Sequence, residues 1–359
     1  MNSRILLPTG GFLMLVGVAA CGDTTPVTPL RPATSPSMAA SPLQTASNEK
    51  VGYSPTIDKM NARLAALKAR VRIASAQIHM SNKWNGEGPT ILVGKDRALG
   101  IGMEWVPGDP RRDGRVGVTY AFGSSRPNLP FVNNADLNDL HLATFAEVDP
   151  QIEEGMGVWR DLTCSSAPVT RVAPGTNPDF VDDLILGSAA DLADYAQPAD
   201  IIHSGWHPMK FFTDLFGEDV GSLILGVTFS FPFVDVATGL PTDIDQNRKL
   251  DLGVSEIYYN SGVIPANGPT PAPGFYWSNS GAFNFDLIDF FSLIGHESGH
   301  AFGLAHLGEV FVQKKDLADG LQPGDIKYAP YALMNAGYIA GRNDIANMDR
   351  TQFCWIWHD

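Results

Sequence analysis

Between residues 56 and 76 apolar side chains return every three or four positions: Ile57, Met60, Leu64, Leu67 and Val71, with Lys59, Arg63, Lys68 and Arg70 between them. That period predicts an amphipathic helix with one face against a core. Further along the period shortens. Residues 89–94, 101–106 and 115–122 are short apolar or alternating runs, bounded by turn signals at Gly108-Asp109-Pro110 and Asp113-Gly114, and they predict strands. A helix is predicted over 151–162, with Ile152, Met156 and Trp159 on one face. Strands are predicted again over 165–172, 199–203, 223–229 and 255–260. A run containing Phe283, Phe285, Leu287, Ile288, Phe290, Phe291, Leu293 and Ile294 then feeds a buried helix, and residues 344–357 predict a closing one packed down by Phe353, Trp355 and Ile356. Residues 22–50 show no such pattern; rich in Thr, Pro, Ser and Ala, they predict a flexible tether.

The buried helix carries the chemistry. Residues 296–306 read H-E-x-x-H-x-x-G-x-x-H. On a helix His296 and His300 project from one face, four positions apart, and can grip one ion. Glu297 lies beside them, placed to work on a water. Gly303 accepts positive φ, so the helix can stop there and the chain can swing back to deliver His306. Three imidazoles leave a tetrahedral position open, as a catalytic zinc requires. Gly295 and Gly299 allow close packing near the ion.

Composition narrows the partners. The chain has 359 residues, 44% hydrophobic and 18% charged, which suits one large domain or two ordinary ones with a real core. Its formal charge of −14 argues against nucleic acid or an anionic membrane surface as an electrostatic partner. The start reads as an export signal: Arg4, an apolar stretch over residues 5–18, then Val18-Ala19-Ala20-Cys21. That ending resembles a bacterial lipobox, which implies a lipid on Cys21; the alternative is an ordinary signal peptide cut near Ala20. Gly22 in place of Asp does not resemble an inner-membrane retention signal. The expected location is therefore the bacterial cell envelope, at the outer membrane or cell surface, or else secreted. No later segment has 18 consecutive apolar residues, so the membrane enters only through the N-terminal anchor. In an oxidising compartment Cys164 and Cys354 suggest a disulfide, with two buried free thiols as the alternative.

The motif at 296–306 resembles the metzincin zinc metalloproteases. Ala332-Leu333-Met334-Asn335 resembles their methionine turn, and the strand over 115–122 and the helix with Trp159 resemble matrixin-type domains. The resemblance covers roughly residues 113–359. It implies an α+β fold: a twisted, mixed five-stranded sheet, two long helices and a small C-terminal subdomain. It implies one catalytic zinc on His296, His300 and His306, with Glu297 as general base, Met334 beneath the ion, and the strand at 223–229 as the edge that pairs with substrate. Tyr338 would line the specificity pocket. Ala336 stands where some relatives place a zinc-contacting Tyr, so that role is not carried over. The implied activity is a zinc endopeptidase acting on extracellular or surface proteins as a monomer. The rival is a non-catalytic, zinc-containing surface binding lipoprotein. The expected organisation is a signal peptide at 1–20, a tether at 21–50, an N-terminal helix and strands at 51–112 that include a candidate pro-segment, and a catalytic domain at 113–359. Two further metal sites are candidates: a second zinc on His203 and His207, and calcium on the loop beginning Asp243-Ile244-Asp245. In that loop Arg248 stands where a calcium loop needs Gly, and Val254 where it needs Glu.

Overall fold

The computed structural model describes residues 55–80, 91–92, 100–125, 129–132, 136–173, 181, 199–262, 276–279, 287–307, 311–312, 329, 331–335, 337–338 and 344–357. The export signal, Cys21 and the tether lie outside the described residues. So do Phe283, Phe285 and Ala336.

Thirteen strands are described. They are β1 (Ser75–Met80), β2 (Ile91–Leu92), β3 (Met103–Glu104), β4 (Val118–Ser125), β5 (Pro130–Val132), β6 (Leu140–Leu142) and β7 (Val169–Arg171). The rest are β8 (Ile201–His207), β9 (Ile224–Pro232), β10 (Leu250–Asn260), β11 (Tyr276–Ser278), β12 (Leu287–Asp289) and β13 (Phe311–Val312). Five helices of eight residues or more accompany them: α1 (Pro55–Ala66), α2 (Phe145–Arg160), α3 (Met209–Phe216), α4 (Phe290–Ala301) and α5 (Asn347–Trp357). The fold is mixed α/β. Its main sheet runs β1-β9-β10-β8-β4-β7, with β3 attached parallel to the start of β10. The β10-β8-β4-β7 part is parallel, whereas β9 runs antiparallel to both β10 and β1. A smaller sheet, β12-β11-β5-β6, lies at the entry to α4.

Helices cover both faces of the main sheet. On one face α2, α4 and α5 bury Ile152, Trp159, Leu293, Ile294 and Phe353 against Tyr120, Phe122, Ile257 and Tyr259. On the other, α1 and α3 bury Ile57, Met60, Leu64, Phe212 and Leu215 against Val227, Phe229, Phe231 and Tyr258. Strands with helices on both sides read as continuous apolar runs, and every residue of β9 is buried.

Four expectations are corrected. The predicted helix over 56–76 stops at Ala66, where Lys68 takes a φ of +55°. Beyond it Val71 bridges to Phe233 and the chain continues as β1. The sheet therefore has six strands along its path rather than five. The strand at 223–229 is not an edge, because β1 lies outside it. Residues 55–80 thus belong to the same sheet and cores as the rest. The predicted helix over 151–162 begins earlier, at Phe145, because the Glu147 carboxylate accepts the Thr144 N–H at 2.7 Å and fixes its start.

Buried charge is paired. Asp200 receives Arg112, Arg115 and the Thr119 N–H; burial alone would raise its pKa, but these partners hold it below the usual carboxylate range. Cys164, just after α2, and Cys354, within α5, form a disulfide with Cα atoms 5.5 Å apart, closing 190 residues of chain. No described helix is long and apolar enough to cross a membrane. Replacing both cysteines by serine is expected to cost about 2–5 kcal/mol, measured by urea unfolding; an unchanged midpoint would show that the bridge constrains nothing.

Candidate metal centre

The site is built on the last two turns of α4. Asp289 caps the helix, accepting the Ser292 N–H at 2.9 Å. At the other end the Leu304 N–H reaches the Gly299 carbonyl at 3.0 Å and the Gly303 N–H reaches His300 at 2.9 Å. This pair is a Schellman stop, and it needs a residue with positive φ at Gly303, which has +91°. A Cβ there would also lie 2.9 Å from the Met103 carbonyl oxygen. Trp105 Nε1–H and Trp357 Nε1–H donate to the carbonyls of Ala301 and Phe302, filling acceptors that a helix end leaves bare. The turn places His306 beside the helical pair.

The three imidazoles converge. Their Nε2 atoms lie 3.0, 3.0 and 3.3 Å apart. His296 Nδ1 lies 2.6 Å from the Leu333 carbonyl oxygen and His300 Nδ1 lies 2.8 Å from that of Leu304. A carbonyl only accepts, so both Nδ1 atoms carry the proton and both Nε2 atoms present bare lone pairs. Lone pairs facing each other at 3.0 Å repel unless a cation lies between them. A tetrahedral ion with nitrogen bonds of about 2.0–2.1 Å separates its ligands by roughly 3.3–3.4 Å, close to the spacing seen. The donor set therefore fits a metal ion. Burial, then the neighbouring histidines, pushes His296 and His300 well below the usual histidine pKa, which keeps them neutral and able to bind metal.

Glu297 is fully buried and turned toward β9. Thr228 Oγ1 lies 2.6 Å from its Oε2, while Oε1 has no hydrogen-bond partner. Gly226 makes room for it: a Cβ there would stand 2.7 Å from Oε1. Burial pushes the Glu297 pKa well above the usual carboxylate range, with the Thr228 hydroxyl working against it. Met334 packs under the helix, where a Cβ on Gly299 would meet its sulfur at 2.4 Å. Asp349 of α5 clamps that turn, accepting the N–H groups of Leu333 and Met334 at 2.8 and 3.0 Å. Helix α2 braces the other side through Trp159, whose indole donates to Gly295 at 2.7 Å.

The other predicted residues separate. His203 and His207 fall on opposite faces of β8, because an extra residue at Ser204 shifts the register against β10. His203 meets Phe122 and Tyr259; His207 meets Phe211 and Tyr258. They do not form a shared site. Asp243, Asp245 and Asp251 do converge, and Arg248 takes a φ of +74° at the position where a calcium loop uses Gly. Asp251, however, already receives Arg111, Thr242 and the Ile244 N–H. Tyr338 is buried, its hydroxyl accepting the Asp289 N–H at 2.9 Å. Sequence reading missed Thr228, Gly226, Asp349 and His79, whose ring lies against that of His296 with 3.9 Å between centroids. Those four lie far from the motif in sequence and reach it only through the sheet and α5.

No protein-family model matches the chain, and no curated protein matches it in sequence.

Burial holds His203 at a pKa of about 3, against 6.5 for an ordinary histidine. The folded form thus binds fewer protons than the unfolded chain at acid pH. The stability it contributes is complete above pH 6.5 and falls as pH drops toward 3. Between pH 6.5 and 4.5 the expected loss is about 2–3 kcal/mol for this residue. His203→Gln should flatten the pH dependence of urea unfolding by that amount; an unchanged slope would contradict a neutral, buried His203.

Proposed function

We propose that this chain is a zinc-dependent endopeptidase of the metzincin type, carried at the bacterial cell surface by a lipid on Cys21. One observation supports it above the others: bare Nε2 atoms, held so by backbone carbonyls, converge beside a buried carboxyl with one unpartnered oxygen. His296, His300 and His306 would hold the ion. Bound zinc supplies Lewis acidity, lowering the pKa of water toward about 7 and polarising the scissile carbonyl.

The chain's own groups do the rest. Glu297 Oε1 accepts the proton of the attacking water and returns it to the leaving amine. Its raised pKa suits both halves of that task, because a more basic carboxylate accepts the proton readily and still releases it. Thr228 fixes the Glu297 rotamer through Oε2, which leaves Oε1 available to the water. The Leu333 and Leu304 carbonyls fix the ligand tautomers and ring orientations, and Asp349 holds the turn that carries Leu333 in place. The alternative, a surface lipoprotein that keeps the ion without catalysis, gains from the complete burial of Glu297. It leaves the unpartnered Oε1 without a use.

Casein cleavage by the full-length protein, stopped by a chelator and restored by zinc, tests the assignment. Glu297→Ala should keep its zinc and lose at least ~100-fold in rate. Equal rates in variant and wild type would rule Glu297 out as the base.

A further inference from the structure

One strand of the main sheet has no part in the proposed reaction. β1 lies along the outer side of β9, antiparallel, with His79 opposite Gly226, Gln77 opposite Thr228 and Ser75 opposite Ser230. Directly opposite residues project to the same face. Ser75, Gln77 and His79 therefore share the face on which Glu297 meets Gly226 and Thr228. That face is polar on both strands, whereas Ile78 opposite Val227 and Ala76 opposite Phe229 make the reverse face apolar. A polar strip on a buried strand suits a groove built for backbone and water better than it suits a core.

The end of β1 reaches the metal centre. The His79 ring lies against His296, tilted by 35°, and a ring nitrogen of His79, one of His296 and an oxygen of Glu297 lie within 4.8 Å of one another. Neither nitrogen of His79 makes a hydrogen bond of normal geometry. The register slips between His79 and Met80, the kind of irregularity that re-aims a side chain. The centre is buried: His296, Glu297 and His300 are 0% exposed and His306 is 2% exposed. A hydrolytic centre buried to this extent must open before it receives a polypeptide.

We propose that β1 is the chain's own occupant of the substrate-binding strand position, with His79 filling the place beside the metal ligands and Glu297 that the scissile peptide takes, so that the protein folded this way is latent. The substrate class follows from the register. It is an extended polypeptide, running antiparallel to β9 and making the backbone bonds that β1 now makes. Full release of residues 55–80 is opposed by Ile57, Met60, Leu64 and Ile78, which are packed with Phe229 and Phe231. Opening requires only that the His79 end of β1 peel away, and no side-chain hydrogen bond of normal geometry holds His79 there. The substrate class rests on the peptidase reading; the blockage rests on the geometry alone.

The test uses full-length, zinc-loaded protein in three forms. These are the wild type, His79→Ala, and the double variant Ile78→Cys/Val227→Cys, which joins β1 to β9 at opposite positions on the face away from the metal. Acetohydroxamic acid is the probe, followed by calorimetry and, after cobalt substitution, by visible absorption. Because a site open only part of the time weakens apparent affinity by the open fraction, His79→Ala should bind the hydroxamate at least ~10-fold more tightly than wild type and cleave casein faster by a similar factor. The oxidised double variant should bind none, and reductant should restore wild-type binding, with reductant-treated wild type as the control for the Cys164–Cys354 bridge. Equal affinity in all three forms overturns the proposal. Tighter binding by His79→Ala without casein cleavage upholds the blocked site and overturns the peptidase reading instead. Should His79→Ala fail to fold, the oxidised and reduced double variant decide, and equal affinity in those two states overturns the proposal.

Discussion

Two backbone carbonyls, those of Leu333 and Leu304, decide the chemistry of this centre. Each accepts the Nδ1 proton of a helical histidine, His296 at 2.6 Å and His300 at 2.8 Å. Each thereby forces a bare Nε2 to face the same point. Neither carbonyl comes from α4 itself. The Leu304 carbonyl is delivered by the glycine stop that ends the helix, and the Leu333 carbonyl by the turn that Asp349 clamps. Break the stop or release the turn, and the imidazoles lose both orientation and tautomer, though every ligand is still in the chain. The convergence is therefore a property of packing as much as of sequence spacing.

That packing is tight where the ion would be. Gly155 lets α2 approach α4, where a Cβ would meet Ile294 at 2.4 Å, and Gly299 leaves space for Met334. Glycines in a helix lower its intrinsic propensity, and here the loss is offset by the close approach of three elements. The buried carboxyl with its unpartnered Oε1 and the bare lone pairs form a group of polar atoms that a purely structural core would avoid, because buried polar atoms without partners are destabilising. A cation is the natural partner for the bare lone pairs.

How far the sequence foretold this depends on locality. The three converging histidines, the end of their helix and the glycine stop lie within eleven consecutive positions, residues 296–306, and short-range geometry ties them together, so their convergence was legible. So were most strands, since residues such as those of β8 and β9 form apolar runs between turn signals. What depends on sheet order was not legible. Val71 continues the three-four period of α1 in sequence but sits in a β-bridge, because Lys68 turns the chain first. The place of β1 beside β9, and so of His79 beside His296, comes from a pairing across about 150 residues, which no local period encodes. A single extra residue at Ser204 separated His203 from His207, and such a register shift leaves no mark in composition. The Thr144–Glu147 capping pair, by contrast, was readable as T-x-x-E and would have set the start of α2 correctly.

The proposed chemistry depends on one ion held by three imidazoles. X-ray absorption at the zinc edge of the purified, zinc-loaded protein, with metal content measured on the same sample, tests this most directly. The account predicts one zinc per chain with three imidazole nitrogens around it, and its loss when His300 is replaced by alanine. Sulfur among the ligands, a set dominated by carboxylate oxygen, or zinc retained without His300 would contradict it.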